Sequence, residues 1–149
     1  MSGRIATKWR RLDEMPVAQV YDVLRFRQAI FVVEQRSPYP DLDGCDADAW
    51  HLLAQTDGGL AGYLRLLARP QAVRIGRVCV AARCRRQGLG RRLVFEALSF
   101  AGRHHPGRDI GLAAQVALGA FYHGFGFAPV SAPYDDFGVA HIEMVRRAG

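Results

Sequence analysis

The chain has 149 residues, 50% of them hydrophobic, and a formal charge of +6 from 20 Lys and Arg against 14 Asp and Glu. That length and composition are those of one domain, spanning 1–149, with a core of its own, and they exclude a disordered tail. No apolar stretch approaches the ~20 residues that cross a bilayer, no signal-peptide pattern opens the chain, and Cys45, Cys79 and Cys84 include no C-x-x-C pair, so a cytoplasmic protein with reduced thiols and no membrane partner is expected.

Ile5 to Arg11 reads as a strand, and Pro16 opens a helix whose apolar residues Val17, Val20, Tyr21, Leu24 and Phe31 recur at helical spacing up to about Glu34. Gln35 to Asp48 is dense in Pro, Asp and Gly and reads as one long loop. Trp50–Thr56 and Leu60–Leu67 are apolar runs joined by Asp57-Gly58-Gly59, a hairpin signal, and a turn near Pro70 leads into a strand from Ala72 to Ala81. Leu89, Leu93, Ala97, Phe100 and Ala101 then form the apolar face of a helix that stops before His104. A strand over 109–114, a short helix over 116–122, a strand over 127–130 and a last strand over 140–146 complete the order. A mixed central sheet with helices on its faces follows.

The segment Arg85-Arg86-Gln87-Gly88-Leu89-Gly90 joins the strand ending Val78-Cys79-Val80 to that helix. A glycine turn into a helix N-terminus aims free N–H groups and the positive end of the helix dipole at one point, which suits a phosphate. No Lys follows Gly90, which excludes a P-loop, and the residues after it exclude the dinucleotide fingerprint. Five arginines between Arg83 and Arg92 concentrate the charge here. No aromatic RNA-binding motif or second basic stripe goes with them, and nucleic acid is not expected as a partner.

The spacing R-x-x-G-x-G resembles the acyl-CoA pyrophosphate loop of the GNAT superfamily of N-acyltransferases. Some thirty residues downstream, Gln115 and the run Phe121-Tyr122-His123-Gly124-Phe125-Gly126-Phe127 resemble that superfamily's C-terminal motif, with Gln115 where Asn is usual. Arg27 to His51 and Asp135 to Met144 are similar to the ElaA-like branch, with Phe137 as a departure where an acidic or polar residue would fit. The first helix is also similar to that of acyl-homoserine-lactone synthases, which are longer chains. The resemblance implies an α/β GNAT fold, a mostly antiparallel mixed sheet of six to seven strands flanked by about four helices. It implies acetyl-CoA as co-substrate, an amine of a small molecule or peptide as acceptor, and no metal; a homodimer is compatible with it.

It further implies that Val78, Cys79 and Val80, with Arg85, Arg86, Gln87, Gly88, Leu89, Gly90 and Gln115, hold the cofactor, and that Tyr122 is the general acid. The amine needs a base, for which Glu34, His51 and His141 are candidates and Glu34 is preferred over His51. Asp41, Asp43, Asp46 and Asp48 lack the spacing of a calcium loop and are expected to face a cationic acceptor. A noncatalytic acyl-CoA-binding or sensing module is the alternative.

Overall fold

The computed structural model describes residues 4–149. Its strands are β1 (Ala6–Arg11), β2 (Trp50–Thr56), β3 (Gly59–Ala68), β4 (Val73–Val80), β5 (Ile110–Gln115), β6 (Ala128–Pro129), β7 (Tyr134–Asp136) and β8 (Val139–Arg146). They form one sheet in the order β1-β2-β3-β4-β5-β8-β6, with β7 also paired to β8. The helices are α1 (Val17–Gln28), α2 (Leu89–His104) and α3 (Gly119–His123). The mixed sheet is as expected, with eight strands instead of six to seven and three α-helices instead of about four. The additional strand is β7, whose 3 residues are too few to show an alternating pattern.

The first helical segment does reach Glu34, but Ala29–Glu34 winds as π-helix. The Gln35 N–H donates to the Ile30 carbonyl at 3.2 Å and that of Ser37 to Val32 at 3.1 Å. The run Ile30-Phe31-Val32-Val33 is rich in β-branched and aromatic side chains, which are weak α-helix formers, and such widened turns favour functional sites. The buried face of α1 also differs from the apolar spacing. Val17 and Tyr21 are 86% and 68% exposed, whereas Val23 and Arg27 are buried.

An arginine in that position explains the difference. On the opposite face of the sheet, α2 buries Leu89, Leu93, Val94, Ala97, Phe100 and Ala101 in the main core. The α1 face has a smaller cluster of Met15, Val23, Ile30, Leu53, Tyr63 and Cys79. Its remaining volume holds three arginines and three aspartates. Arg27 Nε and Nη1 lie 3.0 and 2.7 Å from Asp41 and Asp46. Arg65 Nη2 and Nη1 reach Asp43 at 2.7 Å and Asp46 at 3.1 Å. Arg77 Nε and Nη2 reach Asp41 at 2.8 Å and Asp43 at 3.2 Å. The adjacent guanidiniums hold the Asp43 and Asp46 carboxyls below the usual carboxylate range against the opposing effect of burial. The Asp-rich loop is therefore fastened to the sheet, and the charges of Asp41, Asp43 and Asp46 are engaged by arginines. This corrects the expectation that Asp41, Asp43 and Asp46 are free to face a cationic acceptor, while Asp48 is exposed and outside the network.

The network also shapes β4. In the β3–β4 ladder the register slips between Tyr63 and Arg65, and Arg77 in the bulged strand has φ +55°. A non-glycine residue in that region costs on the order of 1–3 kcal/mol, and a bulge bends and twists its strand. The Arg77 fork on Asp41, with its guanidinium 4.9 Å above the Tyr39 ring, offsets that strain. β4 and β5 run parallel and pair only at Val73–Ile110 and Arg74–Gly111. Beyond that point they diverge and leave a wedge between Ile75–Val80 and Leu112–Gln115.

Replacing Arg27 with Leu should destabilise the protein by ~3–5 kcal/mol, because it leaves two buried carboxylates short of a partner. Urea unfolding checks this, and a loss below ~1 kcal/mol would show that the network contributes little.

Candidate active site

Two cavities open into the wedge. The first, of about 460 Å³, is lined by the π-helical turn, by Val78, Cys79 and Val80, and by Arg85, Arg86, Gly88, Leu89 and Gly90. Gly88 starts α2 with φ +80° and Arg86 precedes it with φ +62°. Left-handed residues at these places turn successive N–H groups inward, as in anion-binding nests. No side chain caps α2, and its first intrahelical bond is from Arg92 N–H to the Gly88 carbonyl at 3.1 Å. The N–H groups of Leu89, Gly90 and Arg91 thus point outward from a 16-residue helix, with the positive end of its dipole behind them. A Cβ at Gly90 would meet only Phe121, at 3.9 Å, so the main chain is open to a ligand here.

The arginines divide by role. Arg85 forms a two-pronged pair with Glu34 at 2.8 and 2.9 Å and donates from Nε to the Val80 carbonyl at 2.9 Å. Its guanidinium braces the loop against the π-helical turn. Arg92 pairs with Glu96. Arg86 and Arg91 have no carboxylate partner among the described residues and leave the α2 N-terminus positive. Gln87 is exposed and donates weakly to the Arg83 carbonyl at 3.5 Å.

The second cavity, of about 290 Å³, lies on the α1 side of the sheet over β4, β5 and β8, with Tyr39, Arg74, Asp136 and His141 in its wall. The two cavities share Phe31, Gln35, Val78, Gln115, Leu118 and Tyr122. Tyr122 is 6% exposed, and burial pushes its phenol up to about 12. It is a proton-bearing group at every working pH. Neither its hydroxyl nor the Gln115 amide bonds to another protein group among the described residues. Cys79 presents main chain to the first cavity, while its thiol sits in the α1-side core and is pushed up by burial. It is no nucleophile.

A profile of the acetyltransferase (GNAT) domain matches residues 27–148. The chain belongs to the GNAT acetyltransferase family. This GNAT chain is 38% identical over 146 residues to protein ElaA of Escherichia coli K12, which covers 93% of this chain and 95% of ElaA. The crystal structure of E. coli ElaA matches the fold with a TM-score of 0.91 at 37% identity, over 97% of this chain and 100% of that one. An acyl-CoA N-acyltransferase from Pseudomonas aeruginosa matches with a TM-score of 0.91 at 36% identity, over 96% and 99% of the two chains.

The base candidates of the GNAT chain separate by position. Glu34 borders the first cavity only and is engaged by Arg85. His51 is fully buried in β2 and lines neither cavity; one ring nitrogen meets the Tyr63 hydroxyl and the other the Asp46 carbonyl at 2.9 Å. It cannot reach a substrate, and it belongs to the scaffold of the network. His141 lies in the second cavity. Sequence reasoning had no signal for Phe31 and Leu118 as junction residues, nor for the Arg77 bulge. Buried arginines leave one trace, a charged residue inside an apolar helical face, as at Arg27.

Burial lowers the pKa of His51. A folded value below the unfolded ~6.5 means that neutral His51 stabilises the fold fully above that pH, and the contribution is lost as pH falls from ~6.5 through the folded value. Asp43 and Asp46, held low, add a second loss below ~4. The melting temperature should fall in these two stages on acidification. His51→Gln should remove most of the first stage, His105 near the surface supplying the smaller rest, and keep the second. Calorimetry across pH checks it; an unchanged slope in the variant would place the first stage elsewhere.

Proposed function

We propose that this chain is an acetyl-CoA-dependent N-acetyltransferase that acetylates an amine by direct attack on the thioester. The observation that carries the reading is Tyr122 at the junction of the two cavities, with its hydroxyl free. The first cavity fits the cofactor: the outward N–H groups of Leu89, Gly90 and Arg91, the nest at Arg86 to Gly88 and two uncompensated arginines suit a pyrophosphate. The diverging edge of β4 at Val78, Cys79 and Val80 offers main-chain groups to the rest, and Gln115 an amide. The second cavity would take the acceptor, a small molecule or a peptide end. Free cysteines at 45, 79 and 84 suit a reducing cytoplasm.

Bound acetyl-CoA supplies an activated carbonyl and a thiolate leaving group. The wedge holds both reactants across one gap, which converts a bimolecular step into a positioned one. With the phenol at about 12 against ~8.5 for a thiol, full proton transfer from Tyr122 to the sulfur is uphill by ~5 kcal/mol. The hydroxyl therefore acts as a hydrogen-bond donor to the sulfur as the C–S bond breaks, and solvent completes the protonation. Among the described residues the junction holds no Cys, Ser or Lys, which favours direct transfer over an acyl-enzyme.

Two variants test this with thiol release on an amine panel and calorimetry of acetyl-CoA. Tyr122→Phe should lower kcat ~10–10²-fold, the loss of one hydrogen bond to a charged group, and leave acetyl-CoA affinity unchanged. Gly88→Val places a β-branched residue at φ +80° and should abolish acetyl-CoA binding. Full turnover in the first variant or full binding in the second would overturn the corresponding assignment. Binding of acetyl-CoA without turnover of any amine would favour a sensing module.

A further inference from the structure

Acetyl transfer requires that the acceptor ammonium lose a proton before its nitrogen can attack, and the proposed function leaves that step without a residue. In the acceptor cavity four side chains could take a proton. Asp43 is engaged by Arg65 and Arg77, and its carboxyl is held low. The Cys45 thiol lies against Arg69. Asp136 lies beside the fourth, 4.0 Å from its ring. The fourth is the imidazole of His141.

The geometry points to His141 Nε2 as the base that deprotonates the acceptor amine, with the Val139 carbonyl fixing its ring and Asp136 as the counter-charge beside it. Nδ1 of His141 lies 2.8 Å from the Val139 carbonyl. A carbonyl only accepts, so Nδ1 carries the hydrogen and Nε2 the lone pair. Nε2 has no protein partner among the described residues. His141 pairs across the sheet with Gln115, which lines both cavities, so the ring stands one strand from the junction. Asp136 Oδ2 is 4.0 Å from Nδ1 and stabilises the imidazolium once Nε2 is protonated.

The charges around the ring leave Asp136 as the dominant one. From β7 the ring of Tyr134 stacks on the imidazole with centroids 6.2 Å apart. On β8 itself Glu143 is neutralised by Arg74 of β4, at 2.9 Å. Arg65, Arg77 and Asp43 belong to the balanced network, Arg69 lies past the end of β3, and Tyr122 stays neutral.

The hairpin that carries both residues is built for precision. Asp136 pairs with Val139 across a two-residue turn, Phe137-Gly138, with φ +51° and +89°. That turn favours Asn-Gly, and Phe in its first position is strained. The strain is held from the acceptor side: the Ser37 hydroxyl donates to the Phe137 carbonyl at 2.7 Å, and the Tyr39 ring meets the Phe137 ring edge-on at 6.0 Å. The departure at Phe137 thus locks the β7–β8 turn to the loop that follows the π-helical turn.

In the step, the ammonium N–H bond breaks and its proton goes to Nε2. The freed nitrogen lone pair forms the C–N bond while the C–S pair leaves on sulfur beside Tyr122. The second N–H proton and the imidazolium proton pass to solvent, which also protonates the thiolate, so one proton is released per ammonium acetylated.

The inference rests on the N-acetyltransferase reading, and its test separates the two. Thiol release is followed from pH 5 to 9 with acetyl-CoA and a panel of polyamines, amino acids, amino sugars and short peptides. The wild type should show an acidic limb in kcat/KM on the best amine. His141→Gln should lose ~10²-fold or more in kcat and lose that limb, with acetyl-CoA binding by calorimetry unchanged. Asp136→Asn should move the limb to lower pH, because the imidazolium loses its counter-charge. Long-range nitrogen–proton NMR should find His141 protonated on Nδ1. If the wild type acetylates an amine and His141→Gln keeps its kcat and limb, or the ring is protonated on Nε2, this inference alone is overturned. If the wild type acetylates nothing, both fall.

Discussion

Everything near the site hangs on the ion network of Arg27, Arg65 and Arg77 with Asp41, Asp43 and Asp46. Three guanidiniums and three carboxylates leave no net charge, which is the condition under which burying them is tolerable. The network takes the place of a larger apolar core beneath α1. It fastens the long loop to the sheet and holds the left-handed bulge at Arg77. That bulge turns β4 away from β5, and the resulting wedge is where the two cavities meet.

The chemistry at the wedge depends on contrasts in burial. The Cys79 and Tyr122 side chains are both pushed toward their protonated forms by burial. One is hidden in the core and the other stands at the cavity junction, so only the phenol can address a ligand. The arginines near the glycine loop divide likewise. Arg85 is committed to Glu34 and to the Val80 carbonyl and gives rigidity, while Arg86, Arg91 and the main chain of α2's first turn retain the positive potential. An ion pair at the rim, such as Arg85 with Glu34, adds little stability on its own. Its use is to set the distance between the π-helical turn and the loop.

What could be read along the chain was local. The glycine loop, the start of α2, the hairpin at Asp57-Gly58-Gly59 and the position of Tyr122 are each written in a few adjacent residues. The bulge and the β7–β8 turn are not, because they depend on partners far away. Asp41 meets Arg27 and Arg77, 14 and 36 residues distant. A cluster of aspartates in a loop looks the same in sequence whether it faces a substrate or a set of buried arginines. Glu34 and His51 were attractive as bases for a similar reason: residue type and proximity to the first helix are visible in sequence, but engagement by Arg85 and complete burial are not.

The most direct measurement is the acetyl-CoA affinity of Arg77→Gly beside that of the wild type, by calorimetry. Glycine accepts the left-handed backbone and removes the Arg77 side chain with its contacts to Asp41, Asp43 and Tyr39, and Arg77 lines the second cavity without touching the first. If the fork sets the wedge, affinity should fall at least ~10-fold, ~1.4 kcal/mol, in a variant whose circular dichroism remains that of a folded protein. Unchanged affinity in that variant would show that β4 and β5 diverge without the network, and would contradict the dependence of the site on it.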